Sequence, residues 1–187
     1  AAGQSRRMGG MDKIFAPLMG RPLVSYSLQA LQYSPQVDTI ILVLPAENVA
    51  RGKLLVSENG WGKVREVCPG GERRQDSVRR GLDRLPELSW IIVHDGARPF
   101  IDNAIITKGL AEARRTGAAV AAVPVKDTIK TVDADMLVDE TLRRDRLWNV
   151  QTPQVFRRDV LAAAYDQCSG EVTDDAALVE RAGGRVR

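Results

Sequence analysis

Thr39-Ile40-Ile41-Leu42-Val43-Leu44 is an unbroken apolar run that Pro45 ends. A strand wet on one face alternates polar and apolar residues, whereas an unbroken run suits a strand covered on both faces, as in a parallel sheet. Trp90-Ile91-Ile92-Val93 is a second such run and Ala118 to Val125 a third. Helical spacings lie between them. Val78, Leu82 and Leu85 recur at i, i+4 and i+7 after Asp76-Ser77. Asp102 stands where a cap is needed for a helix carrying Ile106, Leu110 and Ala113, and Val160, Leu161, Ala164 and Cys168 form a further stripe. Strand and helix alternating in this way predict an α/β fold with a doubly wound, mostly parallel sheet.

Residues 125–154 break the rhythm. Thr128-Ile129-Lys130-Thr131-Val132, Asp133-Ala134-Asp135 and Met136-Leu137-Val138 read as a β-hairpin arm outside the main sheet. An isolated two-stranded arm is marginally stable. Packing on a second copy would stabilise it, so a homodimer through this arm is expected.

The 187 residues fit a single domain over 1–187, with 44% hydrophobic and 27% charged residues. A net charge of +3, with basic residues placed singly or in pairs beside acids, argues against nucleic acid and for small anionic ligands. Cys68 and Cys168, a hundred residues apart with no CxxC, predict neither a zinc site nor a disulfide framework. Every apolar run is far shorter than the ~20 residues a membrane-spanning helix needs, so a cytoplasmic location is expected. Both ends read as interrupted. A strand is expected before Ala1, and Gly183-Gly184-Arg185-Val186-Arg187 reads as the end of a helix and the start of another strand.

Three segments carry chemistry, and ligands of open parallel sheets bind beyond the carboxyl ends of the strands. The first is Ala1-Ala2-Gly3-Gln4-Ser5-Arg6-Arg7-Met8-Gly9-Gly10 with Lys13. Small residues let a ligand approach the main chain, and the cations neutralise phosphate, so this loop reads as a polyphosphate cradle or as a solvated turn. It is no Walker loop, and Ser5 and Met8 replace glycines of the dinucleotide fingerprint. The second is Pro69-Gly70-Gly71-Glu72-Arg73-Arg74-Gln75-Asp76-Ser77, a Gly-Gly turn leading into a helix. The third is His94-Asp95-Gly96-Ala97-Arg98-Pro99, directly after the Trp90–Val93 run. Asp95 is placed to bind Mg²⁺ or a ribose hydroxyl, or to cap a turn. His94, the single histidine, reads as core-facing and not as a base.

Together, Ala-Ala-Gly-x-x-Arg-Arg-Met-Gly, Lys13, Gly-Gly-x-x-Arg-x-x-Ser, His-Asp-x-Ala-Arg-Pro-Phe, Val-Lys-Asp-Thr and Trp-Asn-Val-Gln-Thr-Pro-Gln resemble the 2-C-methyl-D-erythritol 4-phosphate cytidylyltransferases, in order and over the whole chain. Ribitol-5-phosphate cytidylyltransferases share most of these motifs, and the Leu-Trp-x-x-Gln-Thr-Pro-Gln form favours the methylerythritol family. A catalytically inactive nucleotide-binding subunit of the same fold is the rival of another class. The resemblance implies a Rossmann-like nucleotidyltransferase that uses Mg²⁺ to move CMP from CTP to a polyol phosphate. It implies nucleotide contacts from Ala1, Ala2, Gly3, Ser5, Arg6, Gly71, Glu72, Arg74 and Ser77, with Ser77 also a possible helix cap. Arg7 and Lys13 match the residues holding the reacting phosphate, and Asp95 the metal and sugar side. Arg98, Thr128, Arg144, Thr152 and Thr173 match acceptor contacts, Arg144 from across a dimer, with Thr173 equally an N-cap. A phosphate-binding lysine in the family's C-terminal segment has no counterpart here.

Overall fold

The computed structural model describes residues 13–168 and 170–187. Two short strands, β1 (Pro17–Leu18) and β2 (Arg21–Pro22), lead into helix α1 (Leu23–Tyr33). Then come β3 (Ile40–Leu44), α2 (Val49–Glu58), β4 (Val64–Pro69), α3 (Arg74–Leu82), β5 (Trp90–Val93), α4 (Asn103–Thr116) and β6 (Gly117–Pro124). The arm strands β7 (Lys130–Val132) and β8 (Val138–Thr141) are followed by β9 (Trp148–Arg157), α5 (Arg158–Gln167), α6 (Asp175–Arg181) and β10 (Arg185–Val186).

The apolar runs form strands, but their burial differs: β5 is fully buried only at Ile91, and β6 is buried over Gly117–Ala119 and exposed at Val123 and Pro124. β3 shows alternate full and partial burial and pairs in parallel with β4. β5, β6 and β10 join a four-stranded sheet in the order β10-β6-β9-β5. β6 and β10 run parallel, but β9 is antiparallel to both β6 and β5, so this sheet is mixed. The physical reason is the route of the chain. β6 leaves the sheet at Pro124, the arm reverses it, and β9 returns beside β6 with Val123 opposite Asn149.

That return also shortens the arm expected over 125–154. Only β7 and β8 form the separate two-stranded ribbon, whereas Trp148 onward pairs with β6 and the stretch from Thr152 to Phe156 is buried. The ribbon is exposed, with Met136 at 76%, Leu137 at 66% and Val138 at 58%.

The helices cover the sheets in clusters. Val24 and Leu28 of α1 pack with Ile40, Leu42 and Leu44 of β3. Ile106, Leu110 and Ala113 of α4 pack on Ala119 and Val155. Leu161 and Ala164 of α5 and Leu178 and Val179 of α6 pack on Phe156. Burying a side chain the size of Phe156 stabilises the fold by roughly 1.5–3 kcal/mol. Asp102 caps α4 as expected, its Oδ1 accepting the Ile105 N–H at 2.8 Å. Two other caps differ from expectation. α3 begins at Arg74, so Ser77 lies inside its first turn, and the N-cap of α6 is Asp174 and not Thr173, its carboxylate accepting the Ala177 N–H at 2.9 Å. A carboxylate accepts this bond more strongly than a hydroxyl does. Among the described residues no helix is long and apolar enough to cross a membrane.

Candidate active site

β3 and β5 line one cleft of about 1270 Å³. Its inner part, along Ile40–Val43 and Ile91–Val93, is apolar. At the carboxyl ends of the same strands Lys13, Arg74, Ser77, Asp95 and Arg98 enter the lining. The lining also reaches the amino ends of both strands, at Asp38 and Ser89, and it is the polar group at the carboxyl ends that matches the usual ligand position of an open α/β sheet.

The Gly70-Gly71 turn lies between β4 and α3. Gly71 N–H donates to Ser77 Oγ at 3.1 Å, and the Ser77 hydroxyl donates to the Arg73 carbonyl at 3.2 Å. Ser77, 7% exposed, therefore ties the loop to the helix it enters. A Cβ at Gly71 would overlap the Asp76 side chain, so this close approach requires glycine. Asp76 accepts from the Arg73 backbone N–H at 3.2 Å and from its guanidinium at 2.7 Å. Glu72 is exposed at the tip.

Arg74, the first residue of α3, donates through Nη1 to Asp175 Oδ2 at 2.6 Å. Asp175 is fully buried, and its other oxygen accepts the Tyr165 hydroxyl at 2.5 Å. On its Nε side Arg74 lies 3.9 Å from Asp95 Oδ1. Burial works against the guanidinium's charge, but the Asp175 carboxylate outweighs it and raises the Arg74 pKa. Burial likewise raises that of the Tyr165 phenol, aided by the charge of Asp175. Tyr165 thus stays a neutral donor.

The turn after β5 is held from three sides. Asp95 N–H donates to Thr152 Oγ1 at 3.1 Å, and Thr152 Oγ1 lies 3.1 Å from His94 Nδ1. His94 Nε2 is 3.1 Å from the Arg98 carbonyl, which also accepts from the Ser27 hydroxyl at 3.0 Å. A carbonyl only accepts, so Nε2 carries the proton, Nδ1 of the neutral ring accepts, and Thr152 donates to it. Burial pushes the His94 pKa down, which favours that neutral ring. His94 is hence not simply core-facing, since both its nitrogens serve the turn. The Asp95 carboxylate, 43% exposed, pairs with Arg98 at 3.2 Å.

Of the residues selected from sequence, Lys13, Arg74, Ser77, Asp95 and Arg98 come together on one cleft. Gly71 joins them through Ser77, and Thr152 through Asp95 and His94. Thr173 lines a second cleft of about 520 Å³ with Trp148, Asn149 and Val150. Thr128 and Arg144 are exposed beside the arm, Arg144 donating to the Lys126 carbonyl at 3.0 Å. Ala1, Ala2, Gly3, Ser5, Arg6 and Arg7 lie outside the described residues.

Sequence reasoning passed over Asp175 and Tyr165. A signal existed in Thr173-Asp174-Asp175-Ala176: one carboxylate suffices to cap α6, leaving the second, ahead of an apolar stretch, in need of a partner.

The family model for 2-C-methyl-D-erythritol 4-phosphate cytidylyltransferase, IspD, matches residues 1–187. A protein of that name from Dehalococcoides mccartyi (strain ATCC BAA-2266 / KCTC 15142 / 195) is 51% identical over 181 residues, covering 97% of this chain and 80% of the relative. The crystal structure of 4-diphosphocytidyl-2C-methyl-D-erythritol synthase from Anaerococcus prevotii superposes with a TM-score of 0.88 at 31% identity, over 100% of this chain and 82% of that one. The 2-C-methyl-D-erythritol 4-phosphate cytidylyltransferase of Thermus thermophilus gives a TM-score of 0.77 at 32% identity, over 93% and 81%. With its Rossmann-like α/β architecture and its polar strand-end cleft, the chain belongs to the 2-C-methyl-D-erythritol 4-phosphate cytidylyltransferase family.

Proposed function

We propose that this chain transfers CMP from CTP to 2-C-methyl-D-erythritol 4-phosphate, giving CDP-methylerythritol and pyrophosphate in isoprenoid precursor synthesis. The observation that carries the proposal is the convergence of Lys13, Arg74, Ser77, Asp95 and Arg98 on one cleft of a chain whose family match is unbroken.

An acceptor phosphate oxygen attacks the α-phosphorus of CTP, forming a new P–O bond, while the bond to the β-phosphate oxygen breaks and pyrophosphate leaves. An alkyl phosphate with a second pKa of about 6 is already largely dianionic at neutral pH, so no general base is needed. That suits a site whose one histidine has both nitrogens engaged. In-line alignment and charge neutralisation remain as the protein's tasks. Lys13, with Arg7, holds the reacting phosphate and stabilises charge on its equatorial oxygens. Gly71, Ser77 and Arg74 shape the nucleotide side, with Ala1, Ala2, Gly3, Ser5, Arg6 and Glu72 completing it. Arg98, Thr128, Arg144 and Thr173 take the acceptor, and Thr152 serves it by holding the Asp95 turn.

Mg²⁺ fits this donor set. Among the described residues no group of three or more His, Cys, Asp or Glu forms a metal cage, and Asp95 offers one partly exposed carboxylate, paired with Arg98 at 3.2 Å. Mg²⁺ is commonly held by one or two carboxylates with substrate phosphates and waters. When bound, it neutralises triphosphate charge and orients the phosphates.

The exposed apolar side chains of the arm support a homodimer, with Arg144 serving the partner's site. Cys68, buried and free, and the free Cys168 fit a reducing cytoplasm. The test is incubation with each nucleoside triphosphate and either methylerythritol phosphate or ribitol 5-phosphate, scoring pyrophosphate. Release only with CTP and methylerythritol phosphate is the expected result. Preferred turnover of ribitol 5-phosphate would refute the acceptor, and no turnover would leave only a nucleotide-binding subunit.

A further inference from the structure

Asp175 is the deepest charged group described, 0% exposed, and it comes from an element 101 residues away from its partner Arg74. Both carboxylate oxygens are committed, one to Arg74 Nη1 at 2.6 Å and one to the Tyr165 hydroxyl at 2.5 Å. The carboxylate also stands at the first residue of α6, where helix N-terminal amides favour negative charge. Its neighbour Asp174 accepts from Gln154 Nε2 of β9 at 2.8 Å, which fixes the start of α6 against the sheet. The anchor is therefore rigid.

What it anchors is the entrance to the nucleotide loop. Arg74 closely follows Gly71 and Glu72 and lines the cleft. With Nη1 held by Asp175, its Nε and Nη2 make no hydrogen bond among the described residues. Those two N–H groups form one parallel fork, the geometry that grips a phosphate through two oxygens. The same edge lies 3.9 Å from Asp95, close enough to attract and too far to bond.

We propose that Asp175 and Tyr165 are positioning residues for nucleotidyl transfer, the Tyr165–Asp175–Arg74 row clamping the Arg74 guanidinium so that its Nε–Nη2 edge faces the triphosphate. Without the clamp, Arg74 relaxes onto Asp95, which neutralises both groups and withdraws the fork from the ligand. This rests on the reading that Arg74 touches the nucleotide, and the experiment separates the two ideas.

Steady-state kinetics with CTP and methylerythritol phosphate are measured for Asp175→Asn, Tyr165→Phe, Arg74→Ala and the Asp175→Asn/Arg74→Ala double variant, with direct CTP binding by calorimetry. Asp175→Asn is expected to raise the KM and Kd for CTP about tenfold and Tyr165→Phe about threefold, with the acceptor KM unchanged. In the Arg74→Ala background Asp175→Asn adds nothing further, because its effect runs through that guanidinium. An unchanged CTP KM in Arg74→Ala overturns the nucleotide contact of Arg74 itself. A raised KM in Arg74→Ala with unchanged values in both Asp175→Asn and Tyr165→Phe overturns the clamp alone. Should Asp175→Asn fail to fold, Tyr165→Phe decides: a CTP affinity equal to that of the parent protein refutes the proposal.

Discussion

Thr152 Oγ1 sits 3.1 Å from His94 Nδ1 and accepts the Asp95 N–H at the same distance, so one hydroxyl joins β9 to both residues at the end of β5. Replacing it by an isosteric methyl strands a backbone N–H and a ring nitrogen at once. Thr152→Val should cost about 1–3 kcal/mol of stability, the penalty for an unpaired buried group. Thr152→Ser, which keeps the hydroxyl, should recover most of both stability and turnover. Thermal denaturation and pyrophosphate release for the two variants check this, and equal behaviour of Val and Ser would refute it.

The His94 ring gives the fold a pH dependence of definite sign. Its folded pKa lies below the unfolded value of about 6.5 because burial disfavours the imidazolium. Between those two values the unfolded chain binds more protons, so stability rises with pH. This contribution is complete above the unfolded pKa and is lost as pH falls through the folded one. Melting temperatures of the nucleotide-free protein should decline from pH 7 towards pH 5, and His94→Asn should flatten that part of the decline. A parallel decline in the variant would rule His94 out as its source.

Lys13 lines the cleft beside the Asp95 turn and lies among the partly exposed residues. Lys13→Ala should leave the melting temperature nearly unchanged while lowering turnover on the order of 10²-fold, near 3 kcal/mol in the barrier, as for other preorganised donors. Near-normal pyrophosphate release would remove Lys13 from the reaction.

Arg144 lies exposed beside the arm, its guanidinium donating to the Lys126 carbonyl. If it serves the neighbouring subunit, mixing Arg144→Ala with Lys13→Ala protein should restore activity in one of the two sites of each mixed dimer. Mixed samples no more active than the separate variants would place both residues in the same subunit's site.

The layout of elements was legible wherever local composition and burial agree. Ile40–Leu44 and Trp90–Val93 carry no polar face, and α4 repeats Ile106, Leu110 and Ala113 behind the cap Asp102, so each element declares its own partners. The direction of β9 was not legible. Trp148, Asn149 and Val150 are exposed and continue the pattern of the arm, whereas Thr152 to Phe156 are buried, and nothing local marks where ribbon becomes sheet. The helix starts moved too: α3 begins behind Arg73, ahead of Ser77, and α6 behind Asp174 and not Thr173, where Thr and Asp are both good caps and packing chooses between them.

By itself the amino-acid sequence determined the α/β alternation and the cationic and glycine-bearing loops, because these depend on residue type and short spacing, while the family resemblance of its motifs singled out Lys13, Arg74, Ser77, Asp95 and Arg98. Only tertiary structure decided that Asp175 and Tyr165 stand behind Arg74, and that Thr152 and Ser27 hold the turn bearing Asp95 and Arg98. Those bonds join elements far apart along the chain, and their geometry exists only after the sheet has brought α3, α5, α6 and the ends of β5 and β9 to one place.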